Sequence, residues 1–166
     1  PGDEVAVIGG GTIGLCALVA ARDIGAKASL YARHDAQREA GARLGAAEAR
    51  GEYDVVIESA GTDSALQSAV EMARPGGQLL LLAMYWDGMA MPGIPLCLKE
   101  LRVVPSSMYA HDGDRRDFER AAALLARNPE LPEILITHRF PLDEAPLAFA
   151  TARDRAQGAI KVVLEA

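Results

Sequence analysis

Apolar and polar positions in the first half of the chain follow two alternating periods. The segment 12–24 carries Ile13, Leu18 and Ala21 among apolar positions spaced roughly three and four residues apart, which predicts a helix that ends at Gly25. Further helices are predicted over 35–44, where Gly45 follows, and over 64–73, which ends at RPGG. Asp35 is a plausible N-cap of the second helix. Short runs of aliphatic and β-branched residues predict buried strands over 4–8, 27–31, 53–58 and 78–83.

The pattern becomes less regular after Met84. Glycine and proline residues mark a loop over 88–95, followed by a short strand over 101–105. The segment 114–127 predicts an amphipathic helix with Phe118, Ala121, Ala122 and Leu125 on one face. Beyond it, we predict extended chain over 134–140, a helix over 143–153 and a closing strand over 159–164.

The alternation of strands and helices is typical of the α/β class, in which crossovers connect parallel strands. The chain is 50% apolar and only 5% aromatic, a composition that suits helices packed on a parallel sheet. A length of 166 residues fits one domain. The sequence therefore predicts a Rossmann-like, doubly wound parallel sheet with helices on both faces, formed by residues 1–166.

Charge and cysteine usage exclude several classes of function. The net charge of −6 disfavours binding to nucleic acid or to anionic membranes. The longest apolar runs fall well short of the roughly 20 residues of a membrane span. Cys16 and Cys97 lie far apart without a CxxC pair, which argues against a disulfide framework and favours a reducing compartment. We expect a cytoplasmic location.

The glycine-rich stretch GGGTIG stands between the first predicted strand and the first predicted helix. Gly9, Gly11 and Gly14 satisfy the pattern GxGxxG, in which the first glycine makes a tight turn and the second admits a pyrophosphate. The third glycine lets the helix pack on the strand. Thr12 and Ile13 open the helix, whose N–H groups and dipole favour phosphate charge. These five residues predict a dinucleotide site.

The end of the second predicted strand bears on the choice of dinucleotide. An NAD site commonly has an acidic residue there, whereas this chain has Ala32, Arg33 and His34 before its first carboxylate, Asp35. Arg33 can pair with a 2′-phosphate through a charge-assisted fork, which favours NADP(H) over NAD(H). His34 and Arg38 are candidate second contacts. Ordinary solvated side chains remain the alternative for all three basic residues.

Several stretches in one order resemble the medium-chain dehydrogenases/reductases, in their zinc-type alcohol, threonine and polyol dehydrogenase branch. They are PGDEVAVIGGGTIGL, LGA, YDVVIESAG, ARPGGQLLLLA and GAIKVVLEA. The resemblance implies hydride transfer between an alcohol and a carbonyl compound. It also implies that Ser59, Ala60 and Gly61 line the cofactor near its ribose, and that Ala83 and Met84 lie near the nicotinamide.

The chain departs from that family in two places. Few residues remain between Gly45 and Tyr53, so we expect the third strand to be short or missing. The family carries its catalytic zinc and most of its substrate pocket on a domain N-terminal to the matching stretch, and we expect that domain to be absent from this chain.

The resemblance also implies a homodimer that pairs through a sheet edge over about 89–105.

No catalytic or metal-binding cluster is evident in the sequence, since Cys16, Cys97, His34, His111 and His138 are dispersed. We therefore expect the chain alone to bind a cofactor without turnover. A nucleotide-sensing Rossmann module without catalysis is the alternative. A methyltransferase is disfavoured, because such enzymes normally place an acidic residue where Ala32 and Arg33 stand here.

Overall fold

A computed structural model describes residues 2–109 and 111–166 of the chain. The fold divides into two compact units, Pro1–Ser106 and Ser107–Ala166, and each is described by itself. In the described residues, no helix combines the length and the apolar character that crossing a membrane would require.

The first unit alternates strands and helices. Its strands are β1 (Glu4–Ile8), β2 (Lys27–Tyr31), β3 (Ala47–Glu48), β4 (Tyr53–Glu58), β5 (Ala73–Leu81) and β6 (Arg102–Pro105). Its helices are α1 (Thr12–Asp23), α2 (Asp35–Arg43), α3 (Asp63–Met72) and α4 (Gly93–Leu98).

The six strands form one sheet in the order β3-β2-β1-β4-β5-β6, and every pair of neighbours is parallel. This is the strand order of a Rossmann fold. In the sheet register, Ile8 at the end of β1 stands between Tyr31 of β2 and Glu58 of β4. The predicted fold class is confirmed.

Both faces of the sheet are covered. Ala6 and Val7 are neighbours on β1 whose side chains point to opposite faces, yet both are fully buried. One face packs against the apolar side of α3, formed by Leu66, Ala69 and Val70. Burial on both faces explains why the central strands are almost continuously apolar.

The strand next to β2 at the outer end of the sheet is short. Strand β3 has two residues, which pair with Ser29 and Leu30, and β4 begins only five positions after it. The expectation of a short third strand is confirmed.

In its described residues, the second unit contains a short hairpin, three α-helices, two 3-10 helices (Leu142–Glu144 and Arg155–Gln157) and a two-stranded parallel sheet. The hairpin strands are β7 (His111–Asp112) and β8 (Arg115–Arg116), the sheet strands are β9 (Ile136–Pro141) and β10 (Lys161–Glu165), and the helices are α5 (Asp117–Arg127), α6 (Leu131–Leu135) and α7 (Ala145–Arg153). Leu131, Ile134, Leu135 and Ala148 are its buried apolar side chains among the described residues.

Some predicted boundaries in the first unit were wrong. His34, not Asp35, is the N-cap of α2, because the Asp35 carboxylate pairs with Arg38 one turn on instead of capping the helix. Residues 93–98 form α4, which overlaps the end of the predicted loop, since Pro95 lies in the first helical turn, where no N–H is needed. Strand β5 starts at Ala73 and ends at Leu81, earlier than the predicted 78–83.

In the second unit, α5 begins at Asp117 rather than at residue 114, because β8 occupies the preceding positions. The predicted extended segment 134–140 starts inside α6, whose Ile134 and Leu135 are buried helical residues.

Candidate functional site

The candidate site lies at the edge of the sheet where the parallel strands end. The chain leaves β1 towards β2 on one side and later returns to β4 on the other side of β1. In open α/β sheets, ligands bind in the crevice at such a reversal of strand order.

Gly9 makes the turn that leaves β1. Its φ of +106° is a conformation that side chains rarely adopt, and its N–H donates to the Tyr31 carbonyl at 2.9 Å. A Cβ added to Gly9 would lie 3.0 Å from the Ser59 Oγ and from the Ala60 Cβ. The turn therefore requires glycine for its conformation and for its contact with the residues after β4.

The other two glycines of the motif differ in what surrounds them. A Cβ on Gly14 would lie 1.8 Å from the Gly9 carbonyl oxygen and 2.6 Å from the Ser59 Oγ, which is a severe overlap. A Cβ on Gly11 would meet no atom within 4 Å. Packing therefore requires glycine at position 14, whereas Gly11 borders open space.

Gly11 is also the N-cap of α1. The helix has no side-chain bond at its N-cap and no acidic residue in its first turn, so no carboxylate of that turn offsets the positive end of its dipole. The Ile13 side chain in that turn is 59% exposed. This end of α1, with Thr12 and Ile13, is suited to receive an anionic group.

Ser59 ties the turn after β4 to the glycine turn. Its N–H donates to the Ile8 carbonyl at 2.9 Å, and its hydroxyl donates to the Ile8 and Gly9 carbonyls at 2.9 and 3.2 Å. Ala60 and Gly61 follow directly, with Gly61 at a φ of +70°.

Residues Ala83 and Met84 lie against this turn. A Cβ on Gly61 would lie 3.3 Å from both the Ala83 Cβ and the Met84 carbonyl oxygen. The N–H groups of Leu82 and Ala83 donate to the Glu58 carbonyl at 2.8 and 3.3 Å. The segment after β5 therefore lies beside the turn after β4.

Arg33 extends from the end of β2 to the start of α3. Its Nη2 donates to the Ser64 Oγ at 2.6 Å and to the Thr62 Oγ1 at 3.4 Å. Thr62 is the N-cap of α3, and its hydroxyl accepts from the Ala65 N–H at 3.2 Å. The Arg33 guanidinium is thus held near the crevice by the hydroxyl groups of the neighbouring helix start.

The Arg38 side chain binds residues close to it in the sequence. Its Nη1 donates to the carbonyls of Ala32 and Arg33 at 3.0 and 2.7 Å, and its Nη2 pairs with Asp35. His34 is exposed. Of the three basic candidates, Arg33 is the one whose side chain extends towards α3.

Sequence reasoning missed Glu58, the last residue of β4. Its side chain is fully buried, and its Oε1 accepts from the N–H groups of Ala60 and Gly61 at 2.7 and 3.0 Å. Its Oε2 accepts from the Tyr85 hydroxyl at 2.6 Å. A carboxylate directly after the apolar run Val55–Ile57 was the available signal.

The surroundings of the Tyr85 phenol raise its pKa. Burial is the largest cause that raises its pKa above the ordinary value of 10.0, and the hydrogen bond to Glu58 is the second. The phenol therefore remains a hydrogen-bond donor at neutral pH.

Among the residues that the structure describes, no three His, Cys, Asp or Glu side chains are grouped so as to hold a metal ion. Cys16 is half-buried and Cys97 is exposed.

Comparison with known proteins agrees with this geometry. The family model described as zinc-binding dehydrogenase matches residues 46–127. The L-arabinitol 4-dehydrogenase of Aureobasidium melanogenum is 26% identical over 99% of this chain and 50% of its own length. Sorbitol dehydrogenase of Rattus norvegicus is 26% identical over 92% of this chain and 47% of its own length.

Among solved structures, a protein of Sinorhizobium meliloti 1021 described as a zinc-binding dehydrogenase bound to NADP superposes with a TM-score of 0.79. It is 27% identical, and the match covers 99% of this chain and 53% of that one. The chain spans about half the length of the curated relatives it matches.

The different surroundings of Gly14 and Gly11 predict that the same substitution destabilises the fold to different extents at the two positions. Gly14→Ala should lower the free energy of unfolding by about 3 kcal/mol, because the new methyl overlaps the Gly9 carbonyl. Gly11→Ala should lower it by about 1 kcal/mol or less, as expected for alanine at an N-cap. Denaturant unfolding of both variants measures the difference, and equal losses would contradict this account of the turn.

Proposed function

We propose that this chain, which is related to the C-terminal half of the zinc-type medium-chain dehydrogenases/reductases, is the part of such an enzyme that binds NADP(H). One observation carries the proposal. The glycine turn lies at the reversal of strand order, with open space in front of Gly11 and a helix N-terminus beside it.

Each part of the site then has a binding role. Gly9 and Gly11 let the pyrophosphate approach the backbone, and the first turn of α1 stabilises its charge. Ser59, Ala60 and Gly61 border the ribose next to the nicotinamide. Ala83 and Met84 lie against that turn and border the nicotinamide itself.

The preference for NADP(H) rests on Arg33. Its guanidinium carries five N–H donors, and its hydrogen bonds to described residues use Nη2 alone, so other donors of the fork can receive a 2′-phosphate. No carboxylate stands among residues 31–34 to repel that phosphate. The NADP-bound relative from Sinorhizobium meliloti supports the same choice.

In the whole protein, we propose hydride transfer between a small alcohol and the corresponding carbonyl compound. The names of the relatives, arabinitol and sorbitol dehydrogenases, favour a polyol or a similar alcohol. When bound, the nicotinamide accepts or supplies the hydride.

The zinc and the residues that polarise the substrate oxygen are assigned to the half of the relatives that this chain does not match. The basis is that no metal-ligand cluster occurs in the described part of this chain. By itself, residues 1–166 should bind the cofactor without turning over an alcohol.

Self-association is a further part of the proposal. Strand β6 forms one edge of the sheet, and an open edge can pair with the same edge of a second copy. Trp86, Ile94 and Leu98, on the segment before that edge, are 85%, 76% and 80% exposed. This exposed apolar surface supports an interface there.

Cofactor binding is tested by titrating NADPH into the purified chain and following nicotinamide fluorescence. We expect saturable binding that Gly11→Ala weakens at least about tenfold, because the methyl occupies space that the pyrophosphate needs. Gly93→Ala is the matched control, since a Cβ there also meets no atom within 4 Å but lies on α4. A wild-type chain that binds neither NADPH nor NADH would refute the proposal.

Specificity for the 2′-phosphate is tested with Arg33→Ala. A hydrogen bond to a charged group contributes about 1.5–3 kcal/mol, so NADPH affinity should fall about tenfold or more while NADH affinity stays unchanged. Arg74→Ala removes the same charge near the amino end of β5 and should affect neither ligand. Equal wild-type affinities for NADPH and NADH would exclude the assigned role of Arg33.

The assembly state is tested by light scattering coupled to gel filtration. We expect a mass twice that of one chain, because the open edge at β6 and the exposed apolar residues before it would be buried by pairing with a second copy. A single-chain mass at every concentration measured would count against the dimer.

A further inference from the structure

Glu58 is a fully buried carboxylate at the edge of the sheet that faces the candidate site. A buried charge is costly unless hydrogen bonds satisfy it. Among the side chains that the structure describes, none forms an ion pair with Glu58. Its donors are instead two backbone N–H groups and one phenol.

These hydrogen bonds join two segments of the chain. The Oε1 atom holds Ala60 and Gly61 in the turn after β4, at 2.7 and 3.0 Å. The Oε2 atom holds Tyr85, which is 27 positions further along the chain, at 2.6 Å. One carboxylate therefore fixes the turn after β4 and the segment after β5 with respect to each other.

The two segments are in direct contact. The Gly61 backbone approaches Ala83 and Met84 so closely that a Cβ would lie 3.3 Å from each of them. The main chain of Glu58 adds hydrogen bonds from Leu82 and Ala83. A shift of Tyr85 would therefore change the surface that residues 59–61 and 83–84 form together.

That surface lies on one side of the glycine turn only. In the strand order, β4 and β5 are on one side of β1, and β2 with Arg33 is on the other. If the chain binds NADP(H) as proposed, the adenosine half lies towards β2 and the nicotinamide half towards β4 and β5.

We propose that the Glu58–Tyr85 pair is a positioning device for the nicotinamide half of the cofactor. It sets the spacing between the turn 59–61 and the segment 82–85, and so determines affinity for that half while leaving the adenosine half unaffected. This inference rests on the proposed function. Glu58 and Tyr85 are positioning residues, since they act through the backbone that they hold.

The raised pKa of Tyr85 is consistent with this role. A raised folded-state pKa means that the phenol contributes stability below its ordinary pKa of 10.0, and that this contribution is lost as the pH rises through the folded value. The donor is therefore present throughout the neutral range in which a cofactor would bind.

The test compares Tyr85→Phe with the wild-type chain using two ligands, NADPH and 2′,5′-ADP, which is the adenosine half with its 2′-phosphate. We expect the affinity for NADPH to fall about tenfold and that for 2′,5′-ADP to change less than twofold. Trp86, the single tryptophan, follows Tyr85 directly. Energy transfer from it to saturating NADPH should therefore change as well.

Tyr53→Phe is the matched control. Tyr53 is the first residue of β4, the strand that ends at Glu58. Its hydroxyl accepts from the Arg50 N–H at 2.9 Å and donates to the Arg50 carbonyl at 3.2 Å. The substitution removes the same hydroxyl oxygen and its hydrogen bonds at the amino end of β4, away from the candidate site. Both affinities and the energy transfer should stay at wild-type values.

Glu58→Gln is the second variant, and it keeps the size of the side chain if Tyr85→Phe does not fold. It should reproduce the selective loss of NADPH affinity, because an amide cannot accept from Tyr85 and both N–H groups as the carboxylate does. Equal losses for both ligands, or no loss for either, would overturn the inference alone. Failure of the wild-type chain to bind either ligand would overturn the proposed function together with it.

Discussion

The fold depends on close packing at one point of the sheet edge. The turn after β1 contacts the first turn of α1 and the turn after β4 there, with no room for another atom beside Gly14. The Gly9 carbonyl, the Gly14 backbone and the Ser59 hydroxyl meet there, and a single methyl group on Gly14 would overlap two of them. This contact fixes where α1 begins with respect to the sheet edge. The direction of its dipole, and the open space before Gly11, follow from that placement.

Two kinds of physical interaction maintain the two sides of the crevice. Towards β2, the chain relies on Arg33 and the hydroxyl groups at the start of α3, all of them near solvent. Towards β5, it relies on a buried carboxylate that accepts hydrogen bonds from two segments. Because hydrogen bonds in the buried region are strengthened by the low local dielectric, the β5 side should be the more rigid of the two.

Much of the fold was predictable because it depends on local signals. The bounds of β1, β2 and β4 agree with their apolar runs, and the glycine spacing located the first turn. The helix α4 was missed because Pro95 resembles a helix breaker in sequence, while its place in the first turn is visible only in three dimensions.

The candidate site was predictable only in part for a related reason. The partners of Arg33 lie 29 and 31 positions away, and the side-chain partner of Glu58, Tyr85, lies 27 positions away. No periodicity of hydrophobic residues encodes such pairs, which arise when the strands bring distant turns to one edge. The position of Glu58 after an apolar run is visible in the sequence, but its hydrogen bond from Tyr85 is not.

The hydrogen bonds from Arg33 to Ser64 and Thr62 have an entropic consequence. A free arginine side chain loses about 0.5–1.5 kcal/mol of rotamer freedom when a ligand immobilises it. Here folding has already restricted the side chain, since α3 holds it in place without any ligand. An anion that meets this guanidinium would therefore bind a side chain that is already preorganised.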